Sequence, residues 1–213
     1  MIDKKIETYL KELVPSRGEK IEKIEAYAEK HGVPIMDLVG MESLLQILKV
    51  RQPDRILEIG TAIGYSAIRM ATTISHAMIV TIERDKERYE QAVKNVSELG
   101  LTNRITIHYG DALEVSEKLE QDPLFDVLFI DAAKGQYQRF FSIYGQRVKP
   151  GGMILSDNIL FRGYVAEEEI EHKRHRQLAE KMKHYNRWLM EHPDYDTRML
   201  PVGDGLAISI KKR

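Results

Sequence analysis

RILEIGTAIGYSA, residues 55–67, decides the fold. A short apolar run contains Glu58, and Gly60 and Gly64 follow before the first residues of a predicted helix. A second apolar run ends at Glu83, about 20 residues beyond Gly60, the spacing expected of a nucleoside-binding α/β unit. Glycines let the backbone approach a ligand, and a carboxylate at Glu83 can accept both ribose hydroxyls. The ExGxxxG pattern, unlike the GxGxxG of dinucleotide sites, predicts a nucleoside ligand and points to S-adenosylmethionine.

Composition limits the class of protein. The chain has 213 residues, 43% hydrophobic residues, no cysteine and a formal net charge of −1. The absence of cysteine excludes a disulfide framework and thiolate metal sites. The N-terminal residues alternate charged and apolar side chains, so we expect neither a signal peptide nor a membrane span and place the protein in the cytoplasm. The balanced charge gives no global attraction for nucleic acid, although a local basic face could bind it.

Hydrophobic patterns predict a doubly wound α/β fold in a single domain, 1–213, with a helical cap over 1–50 and a Rossmann-like core over 51–213. The predicted cap helices cover 3–13, 18–31 and 37–50. The predicted parallel strands cover 55–59, 78–83, 104–109, 125–130 and 153–156. The predicted core helices cover 65–73, 86–99, 112–120, 136–148 and 166–190. A C-terminal antiparallel hairpin, 197–201 and 206–211, completes a seven-stranded sheet.

Five acidic residues lie at or just after the ends of the predicted strands: Glu58, Glu83, Asp111, Asp131 and Asp157. Ligands of open α/β sheets bind beyond the carboxyl ends of the strands, and clustered carboxylates repel one another unless cations lie between them. Asp131, Asp157 and Asn158 offer three hard oxygen ligands without His or Cys, a set that suits Mg²⁺. A turn or helix cap at Asp157 and Asn158 is the alternative interpretation of the same spacing.

With these motifs in order, residues 20–211 closely resemble the class I S-adenosylmethionine-dependent methyltransferases. The motifs that carry the resemblance are LEIGTAIGYSAIRMA, TIERD, GDALE, FDVLFIDAAKGQY, KPGGMILSDN and PVGDGLAISIKK. The chain is most similar to the metal-dependent catechol and caffeoyl-coenzyme A O-methyltransferase group. Within that group it looks most like the bacterial enzymes that methylate 5-hydroxyuridine at the wobble position of tRNA.

The resemblance implies a role for each matching residue. Glu83 would hold the ribose of S-adenosylmethionine, and Asp111 with Ala112 would contact the adenine. The remaining cofactor residues would be Met36, Glu58, Gly60, Gly64, Tyr65, Ser66 and Asp131. Lys134 would be the general base and Asp131 would share in catalysis, while Asp131, Asp157 and Asn158 would hold Mg²⁺. Ordinary core packing for Met36 and a surface position for Lys134 remain the alternatives.

The metal site demands an acceptor with two adjacent oxygens, which both catechol and 5-hydroxyuracil possess. A basic band could bind tRNA phosphates; its candidate residues are Arg162, Lys173, Arg174 and Arg176. Acidic residues at 167–169 and 171 also allow a solvated face of mixed charge. The hypothesis is a Mg²⁺-dependent tRNA 5-hydroxyuridine O-methyltransferase, with a small-phenol O-methyltransferase as the alternative.

A non-catalytic nucleoside-binding module and a dehydrogenase are the alternatives from other classes of protein. A non-catalytic nucleoside-binding module would need neither metal nor base, and a dehydrogenase would need the missing diphosphate-binding glycines. His172 and His175 are rejected as a second metal site because basic residues surround them. Asp204 and Gly205 are interpreted as a hairpin turn with no catalytic role. The resemblance also implies a homodimer.

Overall fold

The structure, a computed structural model, describes residues 4–213 and places a seven-stranded sheet between helices. The first predicted helix is present as α1, whereas Asp3, its predicted first residue, lies outside the described residues. The helices are α1 Lys4–Leu13, α2 Glu19–His31, α3 Leu38–Arg51, α4 Tyr65–Thr73, α5 Lys86–Glu98, α6 Tyr137–Tyr144 and α7 Lys173–Glu191. The strands are β1 Arg55–Ile59, β2 Met78–Glu83, β3 Ile105–Tyr109, β4 Phe125–Ile130, β5 Val148–Ser156, β6 Tyr195–Leu200 and β7 Leu206–Lys211.

The strand order β3-β2-β1-β4-β5-β7-β6 confirms the predicted sheet. Strands β1 to β5 pair in parallel, and β7 pairs antiparallel with both β5 and β6. The order reverses between β1 and β4, which are hydrogen-bonded neighbours. In doubly wound sheets the crevice at this reversal is the usual ligand site.

Alternating side chains of the central strands form a hydrophobic core on each face of the sheet. Val127 and Phe129 of β4 face the cluster that α2, α3 and α4 cover. Leu128 and Ile130 face the opposite cluster, which α6 and α7 cover. Burial on both faces explains why these strands read as continuous apolar runs in the sequence. None of the helices over residues 4–213 combines the length and the hydropathy that a membrane span requires.

Two predicted core helices are shorter in the structure. The helix predicted over 112–120 is only a 3₁₀ turn, Val115–Leu119. Tyr144 Oη donates to the carbonyl of Ala112 at 2.6 Å, so a side chain uses a carbonyl that an α-helix beginning at residue 112 would need. The helix predicted over 136–148 ends at Tyr144, and β5 begins at Val148 because Val148 pairs with Phe125 of β4.

The long basic helix begins later than expected. A 3₁₀ segment covers Phe161–Ala166, and α7 starts only at Lys173, not at residue 166. Arg176 donates from Nε to the carbonyl of Ile170 at 3.0 Å, and Ile170 is buried in the core cluster under α7. These contacts hold the preceding segment off the helix axis, so the glutamates at 167–169 and 171 lie outside α7.

Candidate active site

A pocket of about 670 Å³ opens beyond the carboxyl ends of β1, β2, β4 and β5. Its size lies in the usual range for cofactor and substrate sites. Most of the candidate site residues line it: Met36, Gly60, Tyr65, Ser66, Glu83, Asp111, Ala112, Asp131, Lys134, Asp157, Asn158, Arg162 and Arg174. Glu58, Gly64, Lys173 and Arg176 do not line it.

The glycines of the β1–α4 loop let two strand ends meet at the floor of the pocket. Gly60 has a φ of 104°, and a Cβ there would overlap the carbonyl oxygen of Asp131. Gly64 has a φ of 84° and begins α4 as its N-cap. Because side chains are disfavoured in this backbone region, the ExGxxxG motif serves the turn geometry as well as the approach of a ligand.

Glu58 supports the β1–α4 loop from beneath and does not face the pocket. Its side chain is fully buried, accepts a hydrogen bond from the Ser66 hydroxyl, and accepts another from Thr81 Oγ1 at 2.6 Å. Burial raises the pKa of Glu58 to about 7, while the two hydroxyl donors lower it. Ser66 lines the pocket, so Glu58 acts on the site by holding this serine.

The two acids assigned to the nucleoside are fixed by backbone donors. Glu83 accepts from Ala62 N at 2.7 Å through Oε2, and from Arg84 N and Asp85 N through Oε1. Asp111 Oδ1 accepts from Leu113 N at 2.9 Å. A rigid carboxylate at the end of a parallel strand suits hydrogen bonding to ribose hydroxyls, and the assignment of Asp111 to the adenine stays a prediction.

The helical cap reaches the pocket through Tyr65. Tyr65 Oη donates to Glu25 Oε1 of α2 at 2.8 Å and accepts from Arg69 Nη1 at 2.8 Å. Met36, just before α3, lines the pocket and also packs in the core cluster. Met36 therefore fills part of the core and also lines the pocket, and its contact with a cofactor stays a prediction.

Asp131, Asp157 and Asn158 come together at the ends of β4 and β5. The backbone N–H of Asp131 donates to Ile59 O at 3.0 Å, and that of Asp157 donates to Ile130 O at 3.0 Å. Burial raises the pKa of Asp131, and burial together with the charge of Asp131 raises the pKa of Asp157. Two buried carboxylates that disfavour each other's charge are the environment that a bound cation relieves.

The donor set fits a hard divalent cation. Asp157 Oδ2 accepts from Asn158 Nδ2 at 3.0 Å, but the buried Oδ1 of Asp157 has no hydrogen-bond partner. Such an orphaned carboxylate oxygen is costly, and a metal–oxygen bond would satisfy it. No group of three His, Cys, Asp or Glu side chains forms a metal site within residues 4–213, so the amide oxygen of Asn158 completes this set.

Lys134 lies beside the same cluster, not at a remote surface. Its Nζ donates to Asn158 Oδ1 at 2.7 Å and sits 6.0 Å from the centroid of the Phe161 ring. Among the causes that act on Asp131, the charge of Lys134 favours the ionised carboxylate. The amine is thus placed to exchange a proton with an acceptor hydroxyl bound at these oxygens.

Aromatic and basic side chains form the outer part of the pocket. Phe161 and Tyr164 lie 5.3 Å apart between centroids, and Tyr164 and His175 lie 5.2 Å apart. Arg162 and Arg174 line the same part and are exposed. Flat rings beside guanidinium groups suit a planar acceptor that carries negative charge.

The two other basic candidates have different positions. Lys173 is exposed at the first residue of α7 without lining the pocket. Arg176 donates to the carbonyls of Ile170 and Glu171, so its guanidinium ties down the segment that precedes α7. The basic band predicted from the sequence therefore reduces, at the pocket, to Arg162 and Arg174.

Three residues that line the outer part of the pocket were not assigned to it from the sequence. Phe161 and His175 were not assigned there, and Asp204 was interpreted as turn chemistry alone. Asp204 does occupy the turn before β7, but its carboxylate also accepts from the backbone of Arg162. The available signal for Phe161 was the aromatic character of residues 161–164, FRGY, which closely follow Asp157 and Asn158 in the sequence.

The fold and this pocket define the class of S-adenosylmethionine-dependent methyltransferases, and comparisons with known proteins identify the family. An O-methyltransferase family model matches residues 14–212. A catechol O-methyltransferase from Niastella koreensis is 32% identical over 177 residues, which cover 79% of this chain and 78% of the relative. The chain therefore belongs to the O-methyltransferase family, and it is an S-adenosylmethionine-dependent O-methyltransferase.

Solved structures agree with this assignment. A provisionally named caffeoyl-CoA O-methyltransferase from Staphylococcus aureus has 37% identity and a TM-score of 0.90, with coverage of 96% of this chain and 98% of that chain. The O-methyltransferase TomG from Streptomyces achromogenes, solved in complex with SAM, has a TM-score of 0.83 at 23% identity over 98% of this chain and 96% of that chain. The second likeness shows a shared fold. Family membership excludes the interpretation as a non-catalytic nucleoside-binding module.

Proposed function

We propose that this enzyme uses Mg²⁺ to transfer the methyl group of S-adenosylmethionine to the 5-hydroxyl of 5-hydroxyuridine at the tRNA wobble position, giving 5-methoxyuridine. The observation that carries the proposal is the pairing of an oxygen-ligand cluster with a rim of rings and arginines in one pocket. The cluster suits an acceptor with adjacent oxygens. The rim suits an unpaired base whose neighbouring phosphates are charged.

The chain's own residues supply positioning and proton transfer. Asp131, Asp157 and Asn158 would hold Mg²⁺, which when bound lowers the pKa of an acceptor hydroxyl and orients its two oxygens. Lys134 takes the hydroxyl proton at Nζ. Ser66 and Tyr65 line the pocket and would border the methionine portion of the cofactor. The cofactor, when bound, would donate its methyl group in line to the acceptor oxygen, and the sulfur would leave as S-adenosylhomocysteine.

Arg162 and Arg174 support RNA over an uncharged phenol. Both guanidinium groups line the pocket and are exposed, so they are free to form ion pairs with the phosphates of an RNA backbone. Phe161, Tyr164 and His175 offer ring faces on which an unpaired base could stack. A tRNA substrate would place the enzyme in the cytoplasm.

A matched pair of substitutions on adjacent residues tests RNA binding. Arg174→Ala removes a charge at the pocket, while Lys173→Ala removes an equal charge from an exposed residue outside it. We expect Arg174→Ala to raise the KM for hydroxyuridine-containing tRNA about tenfold, and Lys173→Ala to change it little. Equal effects of the two variants would show that tRNA is attracted to basic charge in general and is not held by Arg174 at the pocket.

A small catechol-like phenol is the second candidate substrate, because the Niastella relative is named a catechol O-methyltransferase. The aromatic pair Phe161 and Tyr164 would serve a phenol ring as well as a base. For a neutral catechol, Arg174→Ala should leave the KM unchanged. Turnover of catechol, with no turnover of tRNA, would favour this candidate.

We further propose a homodimer. Apolar side chains of α3, β5 and β6 line an open groove of about 590 Å³, and Val50 is 82% exposed there. A second copy would remove this apolar surface from water. Sedimentation velocity tests the proposal: a mass of two chains is expected, and a mass of one chain at micromolar concentration contradicts it.

A further inference from the structure

The turn between β6 and β7, residues 201–205, holds the backbone of the acceptor loop, which we define as residues 158–163. The N–H of Ile159 donates to Gly205 O at 3.1 Å, and the N–H of Leu160 donates to Asp204 O at 2.9 Å. The N–H of Arg162 donates to the carboxylate Oδ1 of Asp204. The turn therefore accepts hydrogen bonds from three backbone N–H groups of the loop, those of Ile159, Leu160 and Arg162.

The acceptor loop has an unusual backbone that needs such support. Asn158, Phe161 and Arg162 have φ values of 55°, 47° and 57°. Residues with side chains rarely adopt this left-handed region, and such conformations persist where the surroundings enforce them. The strained residues include a proposed metal ligand and an arginine at the pocket, so the conformation of the loop bears directly on the site.

The same turn also approaches the cofactor side. A Cβ on Gly205 would meet Ile159 Cγ1 at 2.9 Å, and a Cβ on Gly203 would meet Asp37 Cγ at 3.1 Å. Asp37 is the N-cap of α3 and directly follows Met36. The turn thus packs between the loop that carries Asn158 and the segment that carries Met36, leaving no space for larger residues.

We infer that Asp204 is a positioning residue for methyl transfer: by accepting the Arg162 N–H, its carboxylate keeps the acceptor loop in the backbone conformation that places Asn158 and Arg162 at the pocket. The inference rests on the proposed binding of the acceptor beside Asn158. Asp204 acts through this hydrogen bond, whereas its charge toward Lys134 is secondary. An amide oxygen at the same position can accept the same N–H.

Two variants separate the hydrogen bond from the charge. Asp204→Ala removes the acceptor, and Asp204→Asn keeps an oxygen acceptor without the charge. Hydrogen–deuterium exchange of residues 158–163, measured without metal or substrate, reports the loop itself. Steady-state methyl transfer to hydroxyuridine-containing tRNA gives kcat and KM, and calorimetry gives the Kd of S-adenosylmethionine.

For Asp204→Ala we expect amide exchange at Arg162 to accelerate about tenfold, and kcat/KM for tRNA to fall about tenfold or more. The Kd of S-adenosylmethionine should stay within about twofold, because the donors that fix Glu83 and Asp111 lie elsewhere. Asp204→Asn should restore both the exchange rate and kcat/KM to near the wild-type values.

Two results overturn the inference. Asp204→Ala with wild-type exchange and kcat/KM would show that the carboxylate does not position the loop. Asp204→Asn as impaired as Asp204→Ala would assign the effect to charge instead. If the wild-type enzyme fails to methylate tRNA while exchange at Arg162 still responds to Asp204→Ala, the proposed substrate fails and the positioning of the loop stands.

Discussion

Glu58 is expected to make the protein less stable as the pH rises from mildly acidic values to neutrality, and Glu58→Gln isolates this effect. The carboxyl group is fully buried, and burial raises its pKa from 4.5 to about 7. The folded state therefore binds the proton more tightly than the unfolded state does. Such a group costs no stability while it is protonated in both states. The cost grows as the pH rises from the unfolded pKa of 4.5 to the folded pKa of about 7, and it stays constant above that.

The magnitude follows from the difference between the two pKa values. A shift of about 2.5 pKa units corresponds to about 3 kcal/mol between the protonated and ionised forms. Glutamine keeps the shape and an oxygen acceptor for Ser66 or Thr81 but never ionises. The free energy of unfolding of Glu58→Gln, relative to wild type, should thus rise by about 3 kcal/mol between pH 5 and pH 9.

Urea denaturation at several pH values, with both proteins free of metal and cofactor, measures this difference. Asp126→Asn is the control: burial raises the pKa of Asp126, but Lys149 and the backbone N–H groups of Arg55 and Asp54 lower it more, leaving a net decrease. Because Asp126 stays ionised from pH 5 to pH 9, its variant should be destabilised by a constant amount. A pH-independent difference between Glu58→Gln and wild type would refute the reasoning.

Three substitutions at the pocket have distinct expected signatures. Lys134→Ala should lower kcat by about 10²-fold or more and leave the Kd of S-adenosylmethionine unchanged by calorimetry; equal losses in both would make the lysine structural. Asp131→Ala should abolish the rise in Tm on addition of Mg²⁺, since one of two buried carboxylates is lost; an undiminished rise would place the metal elsewhere. Gly60→Ala should cost about 3 kcal/mol or more in urea denaturation, because its Cβ overlaps the Asp131 carbonyl at a left-handed φ; wild-type stability would contradict that geometry.

The residues that were correctly predicted to lie at the pocket belong to local motifs at strand ends. Asp131 and Asp157 directly follow buried strands, and parallel strands bring their carboxyl ends to one edge. Local spacing was therefore enough to place both acids in one pocket. The same logic placed Glu83 and Asp111, whose carboxylates are held by N–H groups within a few residues or in the neighbouring loop.

Residues whose position depends on distant partners were not predicted. Glu58 belongs to the same motif as Gly60, yet its side chain turns to Ser66 and Thr81 beneath the loop. Asp204 reaches the acceptor side only because β7 pairs with β5 and returns the C-terminal turn to that edge. Arg176 was predicted only as a phosphate ligand, and its hydrogen bonds to the carbonyls of Ile170 and Glu171 were not foreseen.

We propose metal-dependent methylation of a tRNA hydroxyl at the Asp131 and Asp157 cluster. The most direct test supplies labelled S-adenosylmethionine and Mg²⁺ with hydroxyuridine-containing tRNA and, in parallel, a small catechol. Label should enter the tRNA as 5-methoxyuridine and be lost when a chelator removes the metal. Label in catechol alone, or tRNA labelling that the chelator leaves undiminished, would contradict the account.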